Sequence, residues 1–471
     1  MKQVSFPAKL AYGVGIAPVS IKNMLFHFFF LYFFTNVLGV SELLVIAAVM
    51  IALIVDAFTD PIMGQISDNA RSRKWGRRHQ FMLMGVLPTM LGLIALFSPP
   101  SGLGQAGLFI WMLTFLIVVR MGLTVYAVPH SALGTDLSTD YDERTAIVGI
   151  RELFNNIFTV SVFIFGFIVF FPPSPEFEDP MLNIAGYAPF TTTMAIIGGI
   201  AALLSILATR HKVSDIRRYE NDARTSWRSA FTQLREAAKI KPFRWLATAY
   251  CSILTLYATG SALSLYIGGY LWQFTNPQKA AIAVSPILMI IPVVIAANLL
   301  SKWMDKKRAV VLFALIYILF SVLPYALYFA GLMPPIFDPN LFNIIIVMHV
   351  LGFAGLLGVG IIANSMLADI SDLMDARTGK RQEGVLNSAF SFVQKLTFII
   401  GTVIGALSLV IIKFPKGAQP SETPQSAIDG LPVAAIATSL LFAALGIYAF
   451  MRYTLTRDTV SAIQAQLPDI G

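Results

Sequence analysis

Charge is scarce in this chain. Only 13% of its 471 residues are Asp, Glu, Lys or Arg, whereas a soluble globular domain carries about a quarter. A water-soluble fold of this size is therefore excluded. Cysteine occurs once, at Cys251, which rules out an intrachain disulfide framework and leaves the redox compartment undefined. Histidine is sparse as well, and His27, His79, His130, His211 and His349 stand singly. No nucleophile–base spacing, metal-ligand cluster or phosphate-cradling glycine loop appears, so neither an enzyme nor a cofactor is expected. The opening MKQVSFPAKLAYG has no cleavable-signal pattern, because its apolar part leads into a full-length span.

What the chain has in abundance is apolar sequence, at 56% of all residues. Apolar runs long enough to cross about 30 Å of hydrocarbon recur throughout. Charged or Pro/Gly breaks divide them into twelve, near residues 10–36, 43–67, 80–98, 107–130, 146–171, 187–209, 243–272, 280–301, 308–330, 342–367, 384–412 and 431–453. The expected fold is an all-α integral membrane protein with twelve transmembrane helices. Most of the 34 Lys/Arg fall in alternate loops, at the termini and in the 210–244 segment. By the positive-inside rule both termini and that segment are cytoplasmic. The net charge of +8 then reports topology, and no nucleic-acid partner is expected. Four regions follow: a first six-helix bundle at 1–209, a cytoplasmic linker at 210–242, a second bundle at 243–455 and a tail at 456–471. The second part of the linker is amphipathic, which suits a membrane surface as well as a solvated tether.

The two bundles carry a repeat. Asp136-Leu-Ser-Thr-Asp-Tyr-Asp142-Glu-Arg144-Thr follows the fourth span, and Asp369-Ile-Ser-Asp-Leu-Met-Asp375-Ala-Arg377-Thr follows the tenth. The shared pattern, D-x-S-x-x-x-D-x-R-T, is offset by 233 residues, close to half the chain. Six plus six spans with matched cytoplasmic loops indicate two halves related by an axis along the membrane normal, the parallel-repeat plan of major facilitator transporters. Asp136, Asp142 and Arg144 are candidates to pair with the basic 71–78 loop, which includes Arg71 and Arg77, when the cytoplasmic side is shut. Asp369, Asp375 and Arg377 are their counterparts. Ordinary surface ion pairing is the plainer alternative.

Against this apolar background a few ionisable residues lie at membrane depth, where each costs about 2.5–3.5 kcal/mol on insertion scales. Asp56 and Asp60 are four apart in the second span and so share a helix face. Two like charges there should repel unless a cation lies between them. With a hydroxyl such as Thr59 or Thr124 they form an oxygen set suited to Na⁺, or a proton relay. Alternatively, one of them pairs structurally with Lys22, Arg120 or Lys395. Ser20 and Lys22 in the first span, Arg120 in the fourth, and Arg151 and Asn155 in the fifth make polar faces that could hold an anionic solute. Ser391 and Lys395 extend a polar stripe with Asn387 and Ser388 in the eleventh. Tyr257 could stack on a sugar ring, whereas Tyr270 and Trp272, at a span end, read as interfacial anchors.

Lys9-Leu-Ala-Tyr-Gly13, Asp56-Ala-Phe-Thr-Asp60-Pro-Ile-Met-Gly64, Arg71-Ser-Arg-Lys-Trp75-Gly-Arg77, Asp369-Ile-Ser-Asp372 and Lys395 together resemble the melibiose permease group. This is the glycoside–pentoside–hexuronide:cation symporter family of the major facilitator superfamily, with mammalian lysophospholipid symporters as more distant relatives. The resemblance spans nearly the whole chain. It implies that Asp56, Asp60 and Thr124 form a cation site for Na⁺ or H⁺, and that Arg151 and Lys395 serve the solute pocket and coupling.

The departures are informative. Two sugar-gripping carboxylates of the galactoside carriers are replaced by Ser20 and Ala127, two pocket tryptophans by Ser131 and Gly360, and an Asn beside the second cation Asp by Thr59. Lys22 and Arg120 are added. The pocket's charge is thereby inverted, which favours an acidic glycoside or hexuronide over a neutral galactoside. The expected activity is cation:solute symport by alternating access in a plasma membrane, the bacterial inner membrane, by a monomer surrounded by lipid. A lysophospholipid or other amphiphile carrier of the same fold is the alternative, and a non-transporting sensor the remoter one.

Overall fold

In a lipid interior every backbone N–H and C=O must bond within its own segment, so long apolar runs become helices. The computed structural model describes residues 4–70, 75–138, 140–210, 238–378 and 383–464. Arg71, most of the 210–242 linker and the end of the tail lie outside the described residues, as do the side chains of Arg77, Asp142 and Arg377. Among the described residues there are twelve helices long and apolar enough to cross a membrane, and no sheet. They are α1 (Phe6–Val37), α2 (Glu42–Asn69), α3 (Gly76–Leu96), α4 (Gln105–Asp136), α5 (Tyr141–Ile164), α6 (Tyr187–Thr209), α7 (Lys241–Tyr266), α8 (Asn276–Met304), α9 (Lys306–Phe329), α10 (Pro339–Thr378), α11 (Glu383–Ile412) and α12 (Gln425–Arg452). A short α13 (Arg457–Gln464) follows.

The chain divides into two units, residues 1–229 with 415–419 and residues 230–414 with 420–471. Inside each unit the same neighbours recur: α3 packs on α4 as α9 packs on α10, and α1 on α5 and α6 as α7 on α11 and α12. Glycines set the closest of these approaches. A Cβ on Gly122 of α4 would stand 2.8 Å from the backbone N of Thr89 on α3, and one on Gly355 of α10 would stand 2.6 Å from the backbone O of Phe313 on α9. These two glycines are separated by the 233 residues of the sequence repeat.

Two expectations are corrected. The second copy of the repeat does not form a loop after the tenth span: Asp369–Thr378 continues α10 as helix. The first copy does break, because Asp140 adopts an extended conformation and its side chain accepts from the Glu143 N–H, starting α5 afresh. The second copy holds Leu373 at the position of Asp140, so no side chain caps a new helix there. Tyr270 and Trp272 are not interfacial anchors. Both are buried, Tyr270 edge-on to Phe414 at 4.9 Å and Trp272 stacked on Tyr325 at 6.2 Å.

The first helix is irregular. Its first segment ends at Gly15, its next begins at Ala17–Pro18, and it widens into π turns at Leu25–Phe29 and Phe33–Val37. A buried column holds the bend: the Tyr12 ring stacks on His130 at 4.7 Å, His130 on Tyr126 at 5.6 Å, and the Tyr126 hydroxyl donates to Gly15 O at 2.6 Å. This fixes where Lys22 and Phe26, just beyond the bend, approach α4.

Candidate functional site

The site begins with the two faces of α2. Ile54, Phe58, Ile62 and Ile66 form an exposed apolar stripe. Asp56 and Asp60 stand two residues on from Ile54 and Phe58, about 200° around the helix, and therefore turn inward. Both are half-buried. On α4, Arg120 and Thr124 are also one turn apart. Arg120 Nη1 donates to Asp56 Oδ2, and Thr124 Oγ1 donates to Asp60 Oδ1 at 2.6 Å. Each bond joins residues 64 apart in sequence. An unchanged separation one turn later is what two helices running in the same direction produce. The result is a two-rung ladder, one rung an ion pair and the other a carboxylate held by a hydroxyl.

The ladder is not saturated. Asp56 Oδ1, Thr59 Oγ1 and Arg120 Nε are buried and have no hydrogen-bond partner, although buried polar atoms normally find one. Carboxylate and hydroxyl oxygens are the donors that hard monovalent cations take. Among the described residues no group of three or more His, Cys, Asp or Glu gathers, so the set does not resemble a transition-metal cage. The rungs are electrostatically unequal. A second positive charge about 4 Å from the Arg120 guanidinium would be opposed by about 4 kcal/mol at an effective dielectric of about 20. Asp60 accepts from a hydroxyl on its rung, where Asp56 meets a guanidinium.

Lys22 approaches from α1. Its Nζ donates to Asn23 Oδ1 at 2.9 Å and lies 5.2 Å from the centre of the Phe26 ring. Arg120 Cζ is 5.9 Å from the same ring. Two cations thus lie within reach of one aromatic ring, whose π-system tolerates positive charge away from water. Phe26 was not singled out from the sequence, though its position four residues after Lys22 is a legible signal.

The other expected solute residues are placed more loosely. Ser20 Oγ donates to Asn155 Oδ1 at 2.6 Å, joining α1 to α5. Arg151 Nη2 donates to Glu152 Oε1 at 2.8 Å, and Asn155 Nδ2 to Glu152 Oε2 at 3.3 Å. In the second unit Ser391 and Lys395 are exposed on α11. Tyr257 is half-buried, with the rings of Phe353 and Phe398 each 6.0 Å away.

At the helix ends, Arg78 Nε donates to Asp136 Oδ2 at 3.1 Å and Arg78 Nη1 to Ser67 Oγ at 2.9 Å. Lys306 Nζ reaches both oxygens of Asp369 at 2.7 and 2.8 Å. Each pair clasps the start of one helix to the end of the next, α3 to α4 and α9 to α10. Arg144 Nε donates to Ser138 O at 2.7 Å. Asp375 is half-buried near the end of α10.

Twelve helices long and apolar enough to cross a membrane define an integral membrane protein, and the family comparison makes it a transporter. A family model described as MFS/sugar transport protein matches residues 11–457, and the chain belongs to that family. It is 25% identical to an uncharacterised symporter of Synechocystis over 99% of this chain and 97% of that one. It is 22% identical to the glucuronide carrier protein homolog of Escherichia coli over 87% of this chain and 84% of that one. Among solved structures, a bacterial homologue of the iron transporter ferroportin in an inward-facing state matches with a TM-score of 0.64, covering 95% of this chain and 100% of that one at 13% identity. That likeness shows the major facilitator fold. The resemblance to the glycoside–pentoside–hexuronide:cation symporters holds along the chain, and its relatives are transporters rather than enzymes.

Proposed function

We propose that this protein is a cation:solute symporter of the plasma membrane, with both termini cytoplasmic, that imports an acidic sugar derivative by alternating access. The observation that carries the reading is the α2–α4 ladder. Asp60, Thr124, Thr59 and Asp56 supply oxygens to Na⁺ or H⁺, with Asp60 as the anchor. Lys22 and Arg120, with Ser20, Asn155 and Arg151, are the solute-binding residues of the first unit; Lys395, Ser391 and Tyr257 are the candidates in the second. The helix-end charges, Asp136, Arg144, Asp369 and Asp375 with their neighbours Arg71, Arg77, Asp142 and Arg377, belong to the parts that move between inward- and outward-open states.

The glucuronide carrier homolog supports an acidic sugar as the solute class. The two cations beside Phe26 support it too, since they offer N–H donors that a carboxylate takes and a neutral galactoside does not need. One monovalent cation moving with one monovalent anion carries no net charge, so the membrane potential does no work on the pair.

Uptake of radiolabelled methyl glucuronide into proteoliposomes tests this. An imposed inward Na⁺ or proton gradient should drive accumulation, a valinomycin-set potential should leave it unchanged, and Asp60→Asn should abolish gradient-driven uptake. Stabilisation of the purified protein by lysophosphatidylcholine, with none by uronides, would instead support the lipid-carrier alternative.

A further inference from the structure

The symport reading leaves open how solute and cation are kept together, and the position of Arg120 supplies a mechanism. We propose that Arg120 is the coupling residue: its guanidinium exchanges between Asp56 and the carboxylate of the anionic solute, so that solute binding releases Asp56 to the cation. The inference rests on the symport reading of the same site and goes beyond it by assigning one residue to the linkage.

A guanidinium has five N–H donors in a fixed fork. In Arg120 one nitrogen, Nη1, is committed to Asp56 Oδ2, while Nε is buried with no partner. The donor set is therefore only partly used, and a second acceptor finds donors without any being created. Phe26 marks where that acceptor would come, because its ring lies within reach of both Arg120 and Lys22. A carboxylate placed there meets two cations. Asp56 has the complementary deficit, since Oδ1 lacks a partner although Oδ2 is held. Thr59 Oγ1, three residues on along α2, is likewise unpartnered.

The charges enforce the exchange. Asp56 and Asp60 balance Lys22 and Arg120, so these four groups sum to zero. Adding a solute anion and a cation together keeps the sum at zero. Adding either alone leaves an uncompensated unit charge among buried helices, which is strongly disfavoured. While Arg120 rests on Asp56, a cation at Asp56 is repelled. When a solute carboxylate draws Arg120 toward Phe26 and Lys22, Asp56 loses its counter-ion and joins Asp60 as a ligand. The residue thus acts as a tethered competitor for the cation site.

The test uses the purified full chain, with methyl glucuronide and the neutral methyl glucoside as paired probes that differ only in a carboxylate. Cation binding is read as Na⁺-dependent thermal stabilisation and as proton uptake from weakly buffered solution. In the wild type, methyl glucuronide should raise the apparent affinity for the bound cation at least ten-fold, and methyl glucoside should not. Arg120→Gln should bind the cation tightly without solute, so that the ratio falls toward one while glucuronide affinity drops. Arg120→Lys, which restores the charge without the fork, should recover part of the ratio and controls for misfolding. A ratio unchanged in Arg120→Gln overturns the coupling role and leaves symport standing. Absence of any cation binding in the wild type, with Asp60→Asn indistinguishable from it, overturns the symport reading itself. Equal responses to the two glycosides overturn the carboxylate exchange.

Discussion

The two units share their helix-end clasps but not their mid-membrane chemistry. Arg78–Asp136 and Lys306–Asp369 sit at matching places, at the start of α3 or α9 and the end of α4 or α10. The ladder has no such twin. Moved by the 233 residues of the repeat, Arg120 falls on Phe353 and Thr124 on Leu357, both apolar and packed with the second unit's core. What is repeated is what either bundle needs to hold its helices together. What is not repeated is costly for stability, since it places ions in an apolar setting. Such cost without duplication is what the cation site proposed for the first unit would explain.

This contrast can be broken at the clasps, where the largest effect is expected. Removing one partner of a part-buried ion pair leaves the other charge uncompensated, at about 1–3 kcal/mol, between the exposed and the fully buried cases. Arg78→Ala and Lys306→Ala should therefore lower thermal stability in detergent by similar amounts, measured as melting temperature. The first should be slightly worse, because Arg78 also serves Ser67. The swap Arg78→Asp with Asp136→Arg should recover part of the loss. A neutral result at one clasp alone would show that the repeat in sequence is not a repeat in energetics.

The next effect is steric. Gly122→Ala and Gly355→Ala each place a methyl against backbone of the facing helix, Thr89 N at 2.8 Å in one unit and Phe313 O at 2.6 Å in the other. Backbone cannot rotate away, so α3–α4 and α9–α10 must separate, and overpacking of this kind costs about 1–3 kcal/mol. Both variants should lose stability to a similar degree, but only Gly122→Ala should weaken cation binding, because α4 also carries Arg120 and Thr124. Cation titration of both variants separates the two consequences. Equal loss of cation binding in both would break the assignment of ion chemistry to one unit.

How much of this was legible in the sequence follows from what each feature depends on. The twelve spans were, because membrane thickness fixes helix length and apolar runs announce it. The acidic pair was also readable, since Asp56 and Asp60 are conspicuous in an apolar run and their spacing puts them on one face. Their partners were not. Arg120, Lys22 and Lys395 were equivalent candidates for pairing until the parallel course of α2 and α4 set Arg120 opposite Asp56. The helical continuation of α10 through Asp369–Thr378 was hidden because the motif reads as a loop in both copies, and only the first copy carries the cap at Asp140. Tyr270 and Trp272 misled because position near a span end says nothing about which way a ring faces.

The smallest effect probes the α1–α5 contact against its counterpart, α7–α11. Ser20 Oγ donates to Asn155 Oδ1 at 2.6 Å across the first pair of helices. Across the second, Cys251 Sγ lies 3.1 Å from Thr397 Oγ1, which already donates to Val393 O at 2.9 Å. Truncating Ser20 to Ala removes the donor to Asn155 and should cost about 1 kcal/mol. Truncating Cys251 to Ala removes a weak sulfur contact and leaves the Thr397 hydroxyl bonded, so the loss should be about 0.5 kcal/mol or less. Function should separate them further. Ser20→Ala loosens Asn155 beside Glu152 and Arg151 and should raise the KM for glucuronide uptake several-fold, whereas Cys251→Ala should leave it unchanged. If both variants altered uptake equally, the α1–α5 hydrogen bond would be a helix staple like its counterpart, and Ser20 would drop out of the solute site.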